Sequence, residues 1–184
     1  MEDVYHFIQK QSKLKRLSEL IGKGDDDRAQ ELLCNVTFER ALYFGVCKKN
    51  NVENEIDRPL KIYVAGQYTP KEVSMHDAAR VAHKNTVYAI NMGAMVIDKG
   101  HFPYIPHLSH FIHLYSGLSL TYDYYTKADA EWLECCDAIF YYGRGLEHKI
   151  GESKGADNEL KIAIDSGKTV FFSANEIPRY NKKV

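Results

Sequence analysis

A chain of 184 residues, 45% of them hydrophobic, can bury the core of one domain and carry a small appendage. Its 24 Lys and Arg offset 25 Asp and Glu, a formal charge of −1, so no electrostatic case exists for a nucleic-acid or membrane-surface partner. No apolar run approaches the roughly 18 residues of a membrane span. The first twenty residues are charged throughout, unlike a secretory signal. Cys34, Cys47, Cys135 and Cys136 lack zinc spacing. A reduced, cytoplasmic protein is the expectation.

In residues 1–57, Val4, Phe7, Ile8, Leu14, Leu17, Leu20 and Ile21 recur at helical spacing. The run "GKGDDD" breaks the pattern and offers an aspartate cap. A second series follows with Ala29, Leu32, Leu33, Val36, Tyr43 and Phe44, while Phe38, Leu42 and Val46 form another stripe. This predicts a helical hairpin whose second helix is either apolar on two faces, suited to the main domain and to a second subunit, or broken near Glu39, where Glu39 and Arg40 interrupt the series. A homo-oligomer is therefore expected. The polar stretch "KKNNVENEIDRP" leads into a second unit over 58–184.

From residue 60 the strand-like runs "LKIYVAG", "HFPYIP", "DAIFYYG" and "KTVFFS" alternate with helical "AHKNTVYAINMGAMVIDKG", "TKADAEWLECC" and "SKGADNELKIAIDSG". Such alternation predicts an α/β fold: a doubly wound, Rossmann-like, mainly parallel sheet covered on both faces. Right-handed crossovers bring the strand C-terminal ends to one edge, where ligands bind.

Four histidines, His101, His107, His110 and His113, crowd "HFPYIPHLSHFIHLY". The last three, spaced by three, fit metal ligands, the wall of a pocket, or ordinary core and surface positions. "YDYYTK" reads as a packing or lid segment, or as a surface for a base.

Ser153 precedes the last helix and fits an N-cap. It equally fits an anion site, in which the amides of Lys154, Gly155 and Ala156 point at a phosphate aided by the helix dipole. Glu159 has Gly155 and Ala163 at i±4 and Ala156 at i−3, which puts it on or beside the inner, small-residue stripe. Lys154, Asp157, Asn158, Lys161 and Asp165 mark the outer face. An acid there is either a boundary residue reaching water or a nucleophile for an anomeric carbon. It stands about 6 Å along the axis from the anion position, at about 1.5 Å per residue. That span suits a nucleotide, from 5′-phosphate to C1′.

Three motifs carry a family resemblance over about residues 60–173. They are "YVAG" at 63–66, "DAEWLECCDAIF" at 129–140 and "SKGADNE" at 153–159. Together, in this order, they resemble the nucleoside 2-deoxyribosyltransferase superfamily, nearest the 2′-deoxynucleoside 5′-phosphate N-hydrolases and uncharacterised, often phage-associated relatives. The resemblance implies that Glu159 is the nucleophile attacking C1′, that Asp129 contacts the base and protonates its leaving nitrogen, and that Tyr63 lies beside nucleophile and sugar. Gly66, Gln67 and Tyr68 match the pocket-lining turn, and His107 and His110 match pocket walls. Ser153 stands where enzymes acting on free nucleosides carry Asp, so a nucleoside 5′-monophosphate is the implied small-molecule substrate. The implied activity is an N-glycosidase releasing free base, without metal or cofactor. A deoxyribosyltransferase and a non-catalytic nucleotide sensor are the alternatives. The family often completes its site with a residue from a neighbouring subunit; Ser173 and Asn175 stand in that stretch, with no motif to align them. The N-terminal hairpin is an addition to the family pattern.

Overall fold

Four short strands pair in parallel: β1 (Lys61–Ala65), β2 (Phe102–Tyr104), β3 (Ala138–Tyr141) and β4 (Thr169–Phe171), in the order β2-β1-β3-β4. The computed structural model describes residues 2–25, 28, 58–68, 74–118, 120–142 and 153–180. The expected second helix of the N-terminal hairpin, the connector up to residue 57 and the turn after Tyr142 lie outside them. The described helices are α1 (Glu2–Lys23), α2 (Met75–Asp98), α3 (Ser109–Tyr115), α4 (Tyr122–Glu134) and α5 (Lys154–Asp165). Two single 3₁₀ turns, Pro106–Leu108 and Ala174–Glu176, complete the set.

The central strands β1 and β3 are buried almost throughout, as continuous apolar runs must be when both faces of a sheet are covered. Strand alternation divides their side chains between two cores. Tyr63, Ala65, Ile139 and Tyr141 pack with Leu14, Leu17 and Leu20 of α1, Leu133 of α4, and Leu160 and Ala163 of α5. Ile62, Val64, Ala138, Phe140 and Tyr142 pack with Ala89 and Val96 of α2 and with Ile177. The chain thus has the doubly wound α/β architecture its alternation predicts. Among the described residues no helix is long and apolar enough to cross a membrane.

Helix α2 begins at 75, seven residues before the apolar run that announces it. Its first turns have no apolar period; Ser74 starts them, its Oγ accepting from the Asp77 amide at 3.2 Å. Gly100, at φ +86, lies just past the C-terminal end. A Cβ there would meet the Tyr180 carbonyl at 2.6 Å, so the C-terminal segment holds this position to glycine. His101 straps the same segment. Its Nδ1 accepts the Leu60 amide at 3.2 Å, which leaves Nε2–H to donate to the Pro178 carbonyl at 2.8 Å. This histidine is a core residue.

Asp137, just before β3, accepts the Lys61 amide at 2.8 Å and both Arg58 guanidinium nitrogens at 2.8 and 2.7 Å. The Arg58 hydrogen bonds hold its carboxyl down at about 2. The contact joins the lower ends of β1 and β3 and so sets the register of the central pair.

Helix α1 lies along α5 through Leu14, Leu17 and Leu20, and Ser18 donates its hydroxyl to Asp165. Leu17 is fully buried. Leu17→Ala should lower the unfolding free energy by about 2–5 kcal/mol, read from chemical denaturation. A loss below about 0.5 kcal/mol would mean that α1 is not part of the cooperative core.

Candidate functional site

Register builds the site. The β1–β2 ladder sets Tyr63 beside Tyr104, and their rings lie 5.4 Å apart. Each hydroxyl then reaches a carboxyl on the helices covering that face. Tyr63 donates to Glu159 Oε1 of α5 at 2.9 Å. Tyr104 donates to Asp129 Oδ1 of α4 at 3.5 Å, a long contact. Two tyrosine–carboxyl couples therefore stand side by side on adjacent strands.

The spacing Asp129–Trp132 has a physical reason. Residues three apart share a helix face, and the Trp132 ring stacks on Tyr104 at 5.1 Å and 20°. Trp132 thus steadies the tyrosine that holds Asp129. Leu133, the next residue, is fully buried and anchors α4 to the sheet.

Burial governs the electrostatics. It raises the Glu159 carboxyl to about 8; the nearby Asp129 and Asp157 carboxyls push in the same direction, and the Tyr63 hydrogen bond opposes them. Burial raises Asp129 to about 6, against the Tyr104 hydrogen bond. Burial also drives the Tyr63 and Tyr104 phenols upward, so both remain donors at neutral pH. Between about 6 and 8 the two acids share roughly one proton, and they titrate as a pair.

Ser153 is an N-cap in fact. Its backbone is extended, at φ −139 and ψ 99, and its Oγ accepts the Ala156 amide at 3.4 Å. The expectation that the Ala156 amide points at a phosphate is therefore corrected: that donor turns to the cap, and Ala156 itself is buried. The helix start offers Lys154 and Gly155 instead. A Cβ added at Gly155 would meet nothing nearer than the Tyr122 hydroxyl at 3.8 Å, so packing does not demand glycine there.

Asp157 also departs from expectation. It was assigned to the outer face, yet it is buried, accepting from the Tyr141 hydroxyl at 2.5 Å. Tyr141 ends β3 and reaches upward to this first turn of α5, a tertiary partner that helical periodicity does not reveal. The contact ties the start of α5 to the sheet edge.

The turn after β1 is held from several sides. Gly66 lies against the Tyr142 ring, where an added Cβ would come within 2.1 Å. The Gln67 carbonyl accepts from His107 Nε2 at 3.3 Å. The Tyr68 carbonyl accepts from Asn85 at 3.0 Å, and its hydroxyl meets His110 Nδ1 at 2.9 Å. His110 in turn faces His83 Nδ1 at 3.4 Å. The histidine run thus divides: His107 and His110 are buried behind the turn, while His113 is exposed. A 3₁₀ turn followed by α-helix breaks the single face that their spacing suggests. Among the described residues no group of three His, Cys, Asp or Glu side chains is arranged to hold a metal ion.

Glu159, Asp129, Tyr63, Ser153, Gly155 and the Gly66–Tyr68 turn are thus all set around the C-terminal ends of β1–β3. Ser173 caps the short 3₁₀ turn by accepting the Asn175 amide at 3.2 Å. Tyr104, Tyr142, Asp157, Asn85 and His83 were not foreseen. A hollow lined by Ser12, Lys15, Ile164 and Asp165 lies at the opposite end of α5 from Ser153.

Comparison with family models, with curated proteins and with solved structures gave no match.

The raised Glu159 has a stability consequence with a definite sign. Its folded value, about 8, exceeds its ordinary value of 4.5, so the native state holds an extra proton between them. Its contribution is fully present below about 4.5 and is lost as pH rises through about 8. Glu159→Gln, a neutral isostere, should therefore melt above the unmodified protein by a margin that widens from pH 5 to pH 8.5. A margin that narrows would contradict the half-buried, neutral carboxyl.

Proposed function

We propose that the protein is an N-glycosidase that hydrolyses a nucleoside 5′-monophosphate to free base and (deoxy)ribose 5-phosphate. The observation carrying this reading is the pair of adjacent Tyr–carboxyl couples one turn from the Ser153-capped start of α5. An N-glycosidic bond needs a charged oxygen near C1′ and an acid near the leaving nitrogen. The motif resemblance assigns the first role to Glu159 and the second to Asp129.

The steps balance without a cofactor. In the reacting form Glu159 is ionised and the shared proton sits on Asp129, the reverse of the resting order set by their values of about 8 and about 6. Glu159 then attacks C1′ through an oxocarbenium-like transition state. The C1′–N bond breaks, its electron pair passes to the base nitrogen, and that nitrogen takes the Asp129 proton. Water then adds to C1′ and gives a proton to Asp129, and Glu159 leaves as carboxylate. Tyr63 favours the charge on Glu159, since its O–H donates to that oxygen. The amides of Lys154 and Gly155 and the Ser153 hydroxyl would hold the phosphate at the helix start. The absence of a side chain at Gly155 lets an oxygen approach the backbone closely.

The apolar side chains exposed on α3 and α4, Ile112, Leu114, Tyr115, Tyr122 and Tyr124, support assembly with a second copy. Light scattering giving about twice the chain mass would agree; a monomer at micromolar concentration would not.

The decisive assay is chromatography of base release from a panel of nucleoside 5′-monophosphates and their nucleosides, with and without an acceptor base. Base release that requires the phosphate supports hydrolysis. Base exchange identifies a transferase instead, and binding without product identifies a sensor. Glu159→Ala should lower kcat by at least about 10³-fold, the size expected when a nucleophile and its charge are removed together. Retained turnover would refute the nucleophile. The kcat/KM profile should be a bell with limbs near 6 and 8, from the shared titration of Asp129 and Glu159.

A further inference from the structure

Two buried side-chain polar atoms lack a hydrogen-bond partner among the described residues: His107 Nδ1 and Tyr125 Oη. A buried polar group left unpaired costs about 1–3 kcal/mol, so such atoms call for a partner that the described residues do not supply. Both belong to residues around one ring. His107 meets Tyr68 edge-on at 5.8 Å. Tyr125 lies close enough to Tyr68 to raise its phenol further, beyond the effect of burial.

Tyr68 is rigidly placed. Its carbonyl is held by Asn85 and its hydroxyl by His110, and the His110 ring also lies edge-on at 5.8 Å. The His107 tautomer follows from its neighbours. The Gln67 carbonyl can only accept, so Nε2 carries the proton and Nδ1 presents a lone pair. Burial holds this imidazole neutral, lowered to about 4. Its missing partner is therefore an N–H or O–H donor. The Tyr125 hydroxyl can donate to a carbonyl or ring nitrogen in return.

Tyr125 sits four residues before Asp129, hence on the same face of α4 and about 6 Å further along it. Six ångströms is about the breadth of a nucleobase, from its glycosidic nitrogen to its far edge. With Asp129 at the leaving nitrogen, Tyr125 stands level with the opposite edge.

We infer that His107 Nδ1 and Tyr125 Oη read the hydrogen-bonding edge of the substrate's base, beside the fixed ring of Tyr68. The inference rests on the nucleotide reading of the same site and adds the groups that choose the base. The ligand class is a heteroaromatic base with an N–H donor next to an acceptor. A base with that N–H methylated would be rejected.

Two variants isolate the effect. Tyr125→Phe deletes only the unpaired hydroxyl. His107→Phe keeps a flat ring in place and removes both ring nitrogens, so no acceptor remains. Binding is measured by calorimetry on a Glu159→Gln background, with the monophosphates of adenine, guanine, cytosine and thymine and with the N-methylated form of the preferred base. Without ligand, Tyr125→Phe should melt at the same temperature or a few degrees higher. Each variant should weaken the preferred nucleotide about tenfold and compress the ranking of the four bases. The methylated base should bind the parent at least about tenfold more weakly and lose that disadvantage in His107→Phe. A lower melting temperature for ligand-free Tyr125→Phe would overturn the inference, because the hydroxyl would then have a structural partner. An unchanged ranking in both variants, or no binding of any monophosphate, would overturn it too. Altered ranking without turnover by the unmodified protein supports the base-reading groups and refutes the hydrolase. Turnover with unaltered ranking does the reverse.

Discussion

The β1–β2 register is the constraint on which the site depends. Parallel pairing of Tyr63 with Tyr104 sets two phenols in one plane of the sheet, and each phenol holds one acid from a covering helix. Neither carboxyl is positioned by its own helix alone. Helix α4 brings Asp129 near the sheet through Leu133, and α5 brings Glu159 through Leu160 and Ala163. The tyrosines then choose the final direction of each side chain. A slip of one residue in β2 would turn Tyr104 to the opposite face and leave Asp129 without its phenol, while Tyr63 stayed in place.

The same burial that stabilises the sheet sets the chemistry. Tyr63 is a core residue by packing, with no exposed surface, yet its hydroxyl ends at the acid with the larger upward shift. Desolvation favours protons on both acids, while the hydrogen bonds from Tyr63 and Tyr104 favour charge on each. A site made this way keeps a neutral acid and a carboxylate near one another at neutral pH. Asp157 adds a third carboxyl at the start of α5, but Tyr141 holds it toward the sheet.

Much of this was legible in the residues. Strands rich in Ile, Val, Tyr and Phe between glycines, alternating with helical periods, led directly to the parallel sheet. Small residues around Glu159 marked the inner stripe, because Ala156 and Ala163 are buried against the sheet. What was not legible depended on partners distant in sequence. Asp157 looked like a surface residue until Tyr141 reached it. The start of α2 was hidden by polar first turns held by a serine cap. The histidines at 107, 110 and 113 looked like one face, but a change of helical pitch after Pro106 and the turn at Gly66–Tyr68 selected two of the three. Tyr104 belonged to a three-residue strand, too short for periodicity to single out any one side chain.

The position of β2 in the sheet gives the two acids unequal foundations. Strand β1 is hydrogen-bonded on both sides, whereas β2 lies at the margin and is bonded on one. Glu159 therefore leans on a central strand through Tyr63, and Asp129 leans on an edge strand through Tyr104. Fraying of that margin would cost Asp129 its alignment while Glu159 kept its place. Trp132, stacked over Tyr104 from α4, is the clamp against that failure, and it ties the direction of one acid to the integrity of one short edge.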